Sequence, residues 1–355
     1  VPTHEGPGAS ESFFLREIAE QPRVLARLLD EGAAAVESAV RAVRAAQPSW
    51  ALIAARGSSD NAARYGQYLL GARNGLGVGL AVPSLFTLYQ TPPRLERALV
   101  IGISQSGQSP DIVSVLAEAT RQGATTLALT NDPESPLSRA AAHTIPLLAG
   151  EERAVAATKT YSAELFALAM LSSELDGDPA SRGELRAVVA RVEEAIEQNR
   201  DLSRAARDFA DADKFVVLGR GFNYATAFEV ALKIKETSYS IAEPYSIADL
   251  LHGPIAMIDR DFPVILVAPS GKACADVPKL LDLFEERGAR VAAISDQPEV
   301  LSRAHARIPL PADVPEWLSP LVAIAPGQLW ASALAVARGQ DPDRPRGLSK
   351  VTLTR

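Results

Sequence analysis

Glu229, Lys233 and Glu236 stand at i, i+4 and i+7, a spacing that puts all three side chains on one face of a helix. A carboxylate beside an ammonium can take a proton from carbon and return it nearby, which is general acid–base work. A free Glu titrates near about 4.3, so a useful base there needs burial or charged neighbours. A solvated charged stripe would show the same spacing. His252 lies in Leu251-His-Gly-Pro254, and Lys350 lies in Pro345-Arg-Gly-Leu-Ser-Lys350. An imidazole titrates near neutrality and serves as acid or base. A partly desolvated lysine can form a Schiff base with a carbonyl. A lone histidine is more often structural than catalytic, and a lysine in such a position is by default solvated. The four histidines, His4, His143, His252 and His305, and the single Cys274 show no metal-ligand spacing. No metal and no organic cofactor is expected.

A second constellation suits an anion. Ser104-Gln-Ser-Gly-Gln-Ser109 follows an apolar run, and Pro110-Asp111 opens a helical pattern. Ser109 can serve as N-cap, and Pro110 sits where a missing N–H is harmless. Such a loop offers hydroxyls and free backbone amides at the positive end of a helix, where phosphate binds well. Gly107 allows close backbone approach. Arg56-Gly-Ser-Ser59 ends another apolar run and could add Ser58 and Ser59. A polar turn that merely caps a helix is the alternative; two such loops at one sheet edge favour phosphate. The later equivalent, Ala268-Pro-Ser-Gly-Lys272, has one hydroxyl, so one phosphate site per chain is expected.

These residues need a scaffold, and the chain repeats to supply it. Gly57 and Gly221, Gly107 and Gly271, Asp132 and Asp296, and Ser138-Arg139 and Ser302-Arg303 all keep an offset of 164 residues. In the first copy, apolar runs at 51–55, 78–82, 99–103, 125–129 and 144–147 read as buried parallel strands, with helical stretches such as 111–122 between them. Each copy is therefore expected to be a doubly wound α/β sandwich that binds ligands at the carboxyl ends of its strands. The expected organisation is a flexible end and helical lead-in over 1–45 and a first, phosphate-binding domain over 46–190. A linker helix and second domain follow over 191–320, then a C-terminal helix and loop tail over 321–355. The helical lead-in proper covers 11–46. The charged stretch 184–208 reads as helical.

The blocks Arg56-Gly-Ser-Ser59, Ser104-Gln-Ser-Gly-Gln-Ser109, Glu17-Ile-Ala-Glu-Gln-Pro22, Val155-Ala-Ala-Thr-Lys159, Leu232-Lys-Ile-Lys-Glu236, Leu251-His-Gly-Pro254 and Pro345-Arg-Gly-Leu-Ser-Lys350 together resemble the double sugar isomerase (SIS) family. The resemblance extends over about residues 12–355. It is to the isomerase half of glucosamine-6-phosphate synthase and to SIS-type glucosamine-6-phosphate deaminases. It implies two tandem flavodoxin-like domains acting on a phosphorylated amino sugar. It further implies Glu236 as the proton-shuttling carboxylate with Lys233 beside it, and His252 as the ring-opening acid/base given across a homodimer. Lys350 would be the Schiff-base lysine. Ser58, Ser59, Ser104, Gln105, Ser106, Ser109, Val155, Ala157 and Ser349 would line the substrate. Ala157 stands where synthases have a serine, and Pro83-Ser-Leu-Phe-Thr-Leu-Tyr89 lacks their Ser-Glu-Phe carboxylate, a departure toward the deaminase type.

The expected reaction converts glucosamine 6-phosphate to fructose 6-phosphate and ammonia. The glutaminase half and an N-terminal cysteine nucleophile are missing from the sequence, so glutamine-dependent synthesis is not expected of this chain alone. Alternatives are an isomerising aminotransferase, a galactosamine-6-phosphate deaminase, a fructosamine-phosphate deglycase or a non-catalytic sugar-phosphate sensor. A net charge of −7 and no basic N-terminal module argue against a nucleic-acid partner. The polar start at Val1 to Ser10 has no signal-peptide pattern. The longest apolar runs read as too broken to span a bilayer. With one cysteine, a cytoplasmic location is expected.

Overall fold

The run Ala98–Ile103 is aliphatic apart from one glycine, and all its residues are buried, as a strand covered on both faces requires. The computed structural model describes residues 12–350, and the flexible end expected at 1–10 lies outside them. Ten strands form: β1 (Trp50–Ala54), β2 (Gly77–Leu80), β3 (Ala98–Ile103), β4 (Thr125–Thr130), β5 (His143–Pro146), β6 (Lys214–Gly219), β7 (Ile241–Ser246), β8 (Pro263–Val267), β9 (Arg290–Ser295) and β10 (Ala306–Pro309). The first five fall within two residues of the expected runs at either end.

Two compact units carry these strands. The first comprises Arg23–Glu151 and Lys159–Val189; the second comprises 12–22, Glu152–Thr158 and Ala190–Lys350 among the described residues. In the first unit the sheet order is β2-β1-β3-β4-β5, all parallel. Leu52, Val100, Leu116, Ala128 and Leu137 form a core with the helix Pro110–Arg121 on one face. The helices Gly57–Asn74 and Lys159–Asp176 pack together in the same unit.

The second sheet runs β7-β6-β8-β9-β10, again all parallel. That is the order of the first, so the repeat seen in the residues is a repeat of topology, flavodoxin-like in both copies. Val216, Leu218, Leu266, Leu281, Phe284 and Ala293 form one core layer. The helix Tyr224–Ser238 packs against the helix Ser319–Ala337. The lead-in is helical, broken at Glu20 and Gly32 into Phe13–Ala19, Gln21–Glu31 and Ala33–Ala46. The charged stretch forms Pro179–Gln198 and Ser203–Arg207. After Ala337 the tail has turns but no helix or strand as far as residue 350.

One expectation is corrected. The segment Glu316–Ala337 has 22 residues and is long and apolar enough by length and composition to cross a membrane; an 18-residue stretch within it has a mean hydropathy of 1.5, and 83% of that stretch is buried inside the protein. It is apolar all round because its own unit surrounds it. Trp330, fully buried, meets Phe209 edge to face with ring centroids 5.3 Å apart.

Candidate active site

Helix Tyr224–Ser238 begins after Asn223, whose side chain donates to Ser319 Oγ at 2.7 Å and accepts from Thr226 Oγ1 at 3.0 Å. It ends where Tyr239 turns left-handed at φ 59°. Ala227, Val230, Ala231 and Ile234 are fully buried, so little of this helix is left for solvent. Lys233 and Glu229 are likewise without side-chain exposure, and Lys233 Nζ lies 3.2 Å from Glu229 Oε1 and 2.6 Å from Glu236 Oε2. The solvated-stripe reading is therefore wrong. Burial alone would lower the lysine pKa, but the two carboxylates reverse that and hold it above its ordinary value. Lys233 stays an ammonium. Only Glu236, with 23% of its side chain exposed, can meet a molecule arriving from solvent.

Lys350 belongs to the same unit and is held closely. Its Nζ donates to Glu152 Oε2 at 2.6 Å and to the Ala154 carbonyl at 2.7 Å. The Glu152 side chain is fully buried, and its Oε1 accepts from the Thr158 N–H at 2.9 Å. Glu17, also buried, accepts from the N–H groups of Arg153 and Ala154. These carboxylates fix the segment 152–158, in which half-buried Val155 and Ala157 alternate with buried Ala154 and Ala156. The tail is pinned twice more. Asp343 accepts from the N–H groups of Phe13 and Phe14 at 2.8 and 2.7 Å, and Arg346 donates its N–H to Tyr239 Oη at 2.8 Å. Ser349 is exposed. His252 is exposed just after the short helix Ile247–Leu251, and its imidazole has no hydrogen-bond partner among the described residues. Exposed Leu251 and Met257 lie near it in sequence.

The serine loops belong to the first unit. They follow β1 and β3, which pair as neighbours, while the chain continues from β1 to β2 on one side and from β3 to β4 on the other. That is the topological switch point of the sheet, where ligands of such folds sit. Gly107 is left-handed at φ 61°, and a Cβ there would lie 2.2 Å from Ser135 Oγ, so glycine is required. Ser104 Oγ accepts from Gly107 N–H at 3.1 Å, and Ser106 Oγ from Gln108 N–H at 3.3 Å. Ser109 is the N-cap by position, with Pro110 next, yet its side chain makes no cap bond. Among the described residues no acceptor takes the N–H of Ser106 or Ser109. The Gln105 carbonyl accepts from Asn131 N–H, which ties the loop down. In the other loop Ser59 donates to buried Glu164 at 2.7 Å, and Arg56 pairs with buried Asp111 at 2.7 Å. The Ser59 proton is thus already committed, and Ser58 lies in the first turn of the helix Gly57–Asn74.

Glu17, Glu152, Glu164 and Asp343 were not singled out from the sequence as site residues. Each acts on a partner distant in sequence or on a bare backbone N–H, which leaves no spacing to read; Glu17 alone lay in a block already noted.

The SIS domain family matches residues 47–173 and 208–335. A glutamine–fructose-6-phosphate aminotransferase (isomerizing) of Gloeobacter violaceus is 35% identical over 354 residues, covering 95% of this chain and 58% of that protein. One of the same name from Methanothermobacter thermautotrophicus is 37% identical over 352 residues, covering 97% and 58%. The chain thus spans less than two thirds of these relatives' length. A solved structure from Silicibacter pomeroyi, assigned as a phosphosugar isomerase, has a TM-score of 0.85 at 37% identity and covers 94% of this chain and 100% of that one. The C-terminal domain of glucosamine-fructose-6-phosphate aminotransferase from Francisella tularensis has a TM-score of 0.84 at 25% identity, covering 96% and 100%.

Proposed function

From the premise that this chain belongs to the SIS domain family, we propose that it is an enzyme of phosphorylated amino sugars that couples aldose–ketose isomerisation to loss of ammonia. Glucosamine 6-phosphate and water give fructose 6-phosphate and ammonia. The observation that carries the reading is Glu236, the one partly exposed member of an otherwise buried carboxylate–ammonium–carboxylate group.

In this reading the serine loop binds the phosphate. His252 of a partner subunit opens the ring, and Glu236 removes the C2 proton of the open-chain amino sugar. The same carboxyl returns the proton to C1, which leaves a ketimine, and water hydrolyses the ketimine to ketose and ammonia. Lys233, 2.6 Å away, holds Glu236 in place. Lys350 holds the open-chain ketose product as a Schiff base, with one water lost as the C2=N bond forms and one taken up again when the ketose leaves. Its ammonium must first leave Glu152 and lose a proton, because a protonated amine is no nucleophile. The exposure of His252, Leu251 and Met257 supports a homodimer contact there. Activity per chain should fall on dilution below the dimer's dissociation constant; full activity of a monomer would refute the donated histidine.

Relatives named as isomerising aminotransferases favour a second reading, in which the same proton shuttle runs from fructose 6-phosphate and an ammonia donor toward the amino sugar. The deciding assay is ammonia release from purified protein with glucosamine 6-phosphate, galactosamine 6-phosphate beside it, and the Glu236→Gln variant as control. Ammonia from the first sugar that vanishes in the variant supports the deaminase. No ammonia from either sugar would overturn it in favour of a transferase or deglycase.

A further inference from the structure

Within the second unit the helix Ser319–Ala337 has two working faces. Gly327 and Ala331 meet the helix Tyr224–Ser238: a Cβ on Gly327 would lie 2.6 Å from Val230 Cγ2, and the Ala331 carbonyl accepts from Thr237 Oγ1 at 3.3 Å. Leu329, Ser332 and Val336 stand three and four residues apart on the opposite face. With Leu15 and Leu202 they line a cavity of about 420 Å³, within the size range of small-molecule sites. All its lining residues belong to this one unit.

Two buried polar groups at this cavity lack partners. Ser332 is 2% exposed, and its hydroxyl has no hydrogen-bond partner among the described residues. Asn199 is 1% exposed; its Nδ2 donates to the Ala195 and Pro309 carbonyls, each at 2.8 Å, while its Oδ1 accepts from no donor among the described residues. Buried polar atoms are ordinarily satisfied, and a ligand O–H or N–H suits both, since each of these oxygens can accept. The exposed rim carries charge. Arg207 Nε donates to the Ser203 carbonyl at 3.3 Å, and its two terminal nitrogens have no hydrogen-bond acceptor among the described residues. Arg200 is paired with Glu197, and Asp201 already accepts from Ser203 N–H at 3.0 Å and Ser203 Oγ at 2.5 Å. An open guanidinium fork pairs best with a carboxylate.

We propose that this cavity binds a small carboxylic acid with an apolar body and a hydroxyl or N–H group. The carboxylate pairs with Arg207 at the rim. Leu15, Leu202, Leu329 and Val336 cover the apolar body, and Val336, 56% exposed, gains the most cover. The hydroxyl or N–H completes Ser332 and Asn199 at depth. The helix Ser319–Ala337 separates this cavity from the face on which Tyr224–Ser238 packs, so the site is a second one and does not depend on the reaction proposed above.

The test titrates the full-length chain with para-hydroxyphenylpropanoate by ligand-observed NMR. Beside it stand phenylpropanoate, which lacks the hydroxyl, and para-hydroxyphenylpropanamide, which lacks the charge. The hydroxy acid should bind saturably at millimolar concentration or below. Its affinity should fall about tenfold in Arg207→Gln, as loss of a charged hydrogen bond does, while the amide binds both proteins alike. The wild type should prefer the hydroxy acid to phenylpropanoate about fivefold, and Ser332→Ala should erase that preference. No saturable binding to the wild type overturns the proposal. So does binding that neither variant weakens, because the acid then sits elsewhere. Arg207 is exposed and alanine is a better helix former than serine, so both variants should fold, which circular dichroism checks.

Discussion

A lysine with no solvent exposure is tolerable only while its charge is matched, and Lys233 is matched by Glu229 and Glu236. The two acidic partners differ in what they can lose. Replacing Lys233 by Met strands the fully buried Glu229 without a cation, which should cost about 3–5 kcal/mol. Urea unfolding would show it, and a loss under about 1 kcal/mol would contradict the buried group described. Glu236→Gln removes a partly exposed carboxylate and should leave the fold intact, yet lower kcat by about 10²–10⁴ as loss of a general base does. Normal turnover in a folded variant would end its assignment. The spacing of these residues was legible in the sequence. Their burial was less so, although Val230, Ala231 and Ile234 leave the helix no clearly polar face, which is a signal worth reading. Glu152 and Glu17 were illegible as site residues because a carboxylate aimed at a backbone N–H follows no side-chain period.

The elements explain how a lysine close to the C-terminus can be placed precisely. From 338 to 350 the tail has no helix or strand, so its position there comes from point anchors: Asp343 on the first turn of Phe13–Ala19, Arg346 on Tyr239, and Lys350 on Glu152. Asp343 acts there as an added N-terminal cap for that helix, beside Ser12. Asp343→Ala should therefore cost about 1 kcal/mol, as loss of a cap does, and should also weaken activity by loosening the tail. A melting loss with unchanged kcat/KM would separate the cap from the chemistry and argue against the tail's role. Truncation after Gly347 removes the last anchor together with the amine and should abolish turnover; persistent activity would contradict the role of Lys350. At this scale the sequence was a good guide to strands, because fully buried parallel strands are short aliphatic runs with abrupt ends. Ser319–Ala337 was legible as an apolar helical run, but not its full length or what covers it, since a core helix wrapped by its own unit and a membrane helix share a composition, and only the packing tells them apart.

Over the whole molecule, duplication supplied two sheets of one order and then let their loops diverge, which was visible as the constant offset of 164 residues. What the offset could not convey was burial of ionisable groups, and that burial sets the response to pH. Cys274 is raised from 9.0 to about 12, chiefly by burial, and Tyr65 is raised by burial as well. Lys233 is raised above 10.5 by its carboxylates against the pull of burial. A group whose folded pKa exceeds its unfolded value stabilises fully below the unfolded value and loses that contribution as pH rises through the folded one. All three therefore act in the same direction on the alkaline side. Their contribution to stability should be level from pH 7 to about 9, then fall as the unfolded thiol, tyrosine and lysine lose protons that the folded chain retains. Cys274→Ala should flatten the part of that fall between pH 9 and about 12, leaving the steeper part above. Chemical denaturation of both proteins across this range would check it. An alkaline limb identical in the two would mean that the thiol titrates in the folded chain much as it does in the unfolded one, and would contradict its burial beside the Glu316 and Asp296 carboxylates.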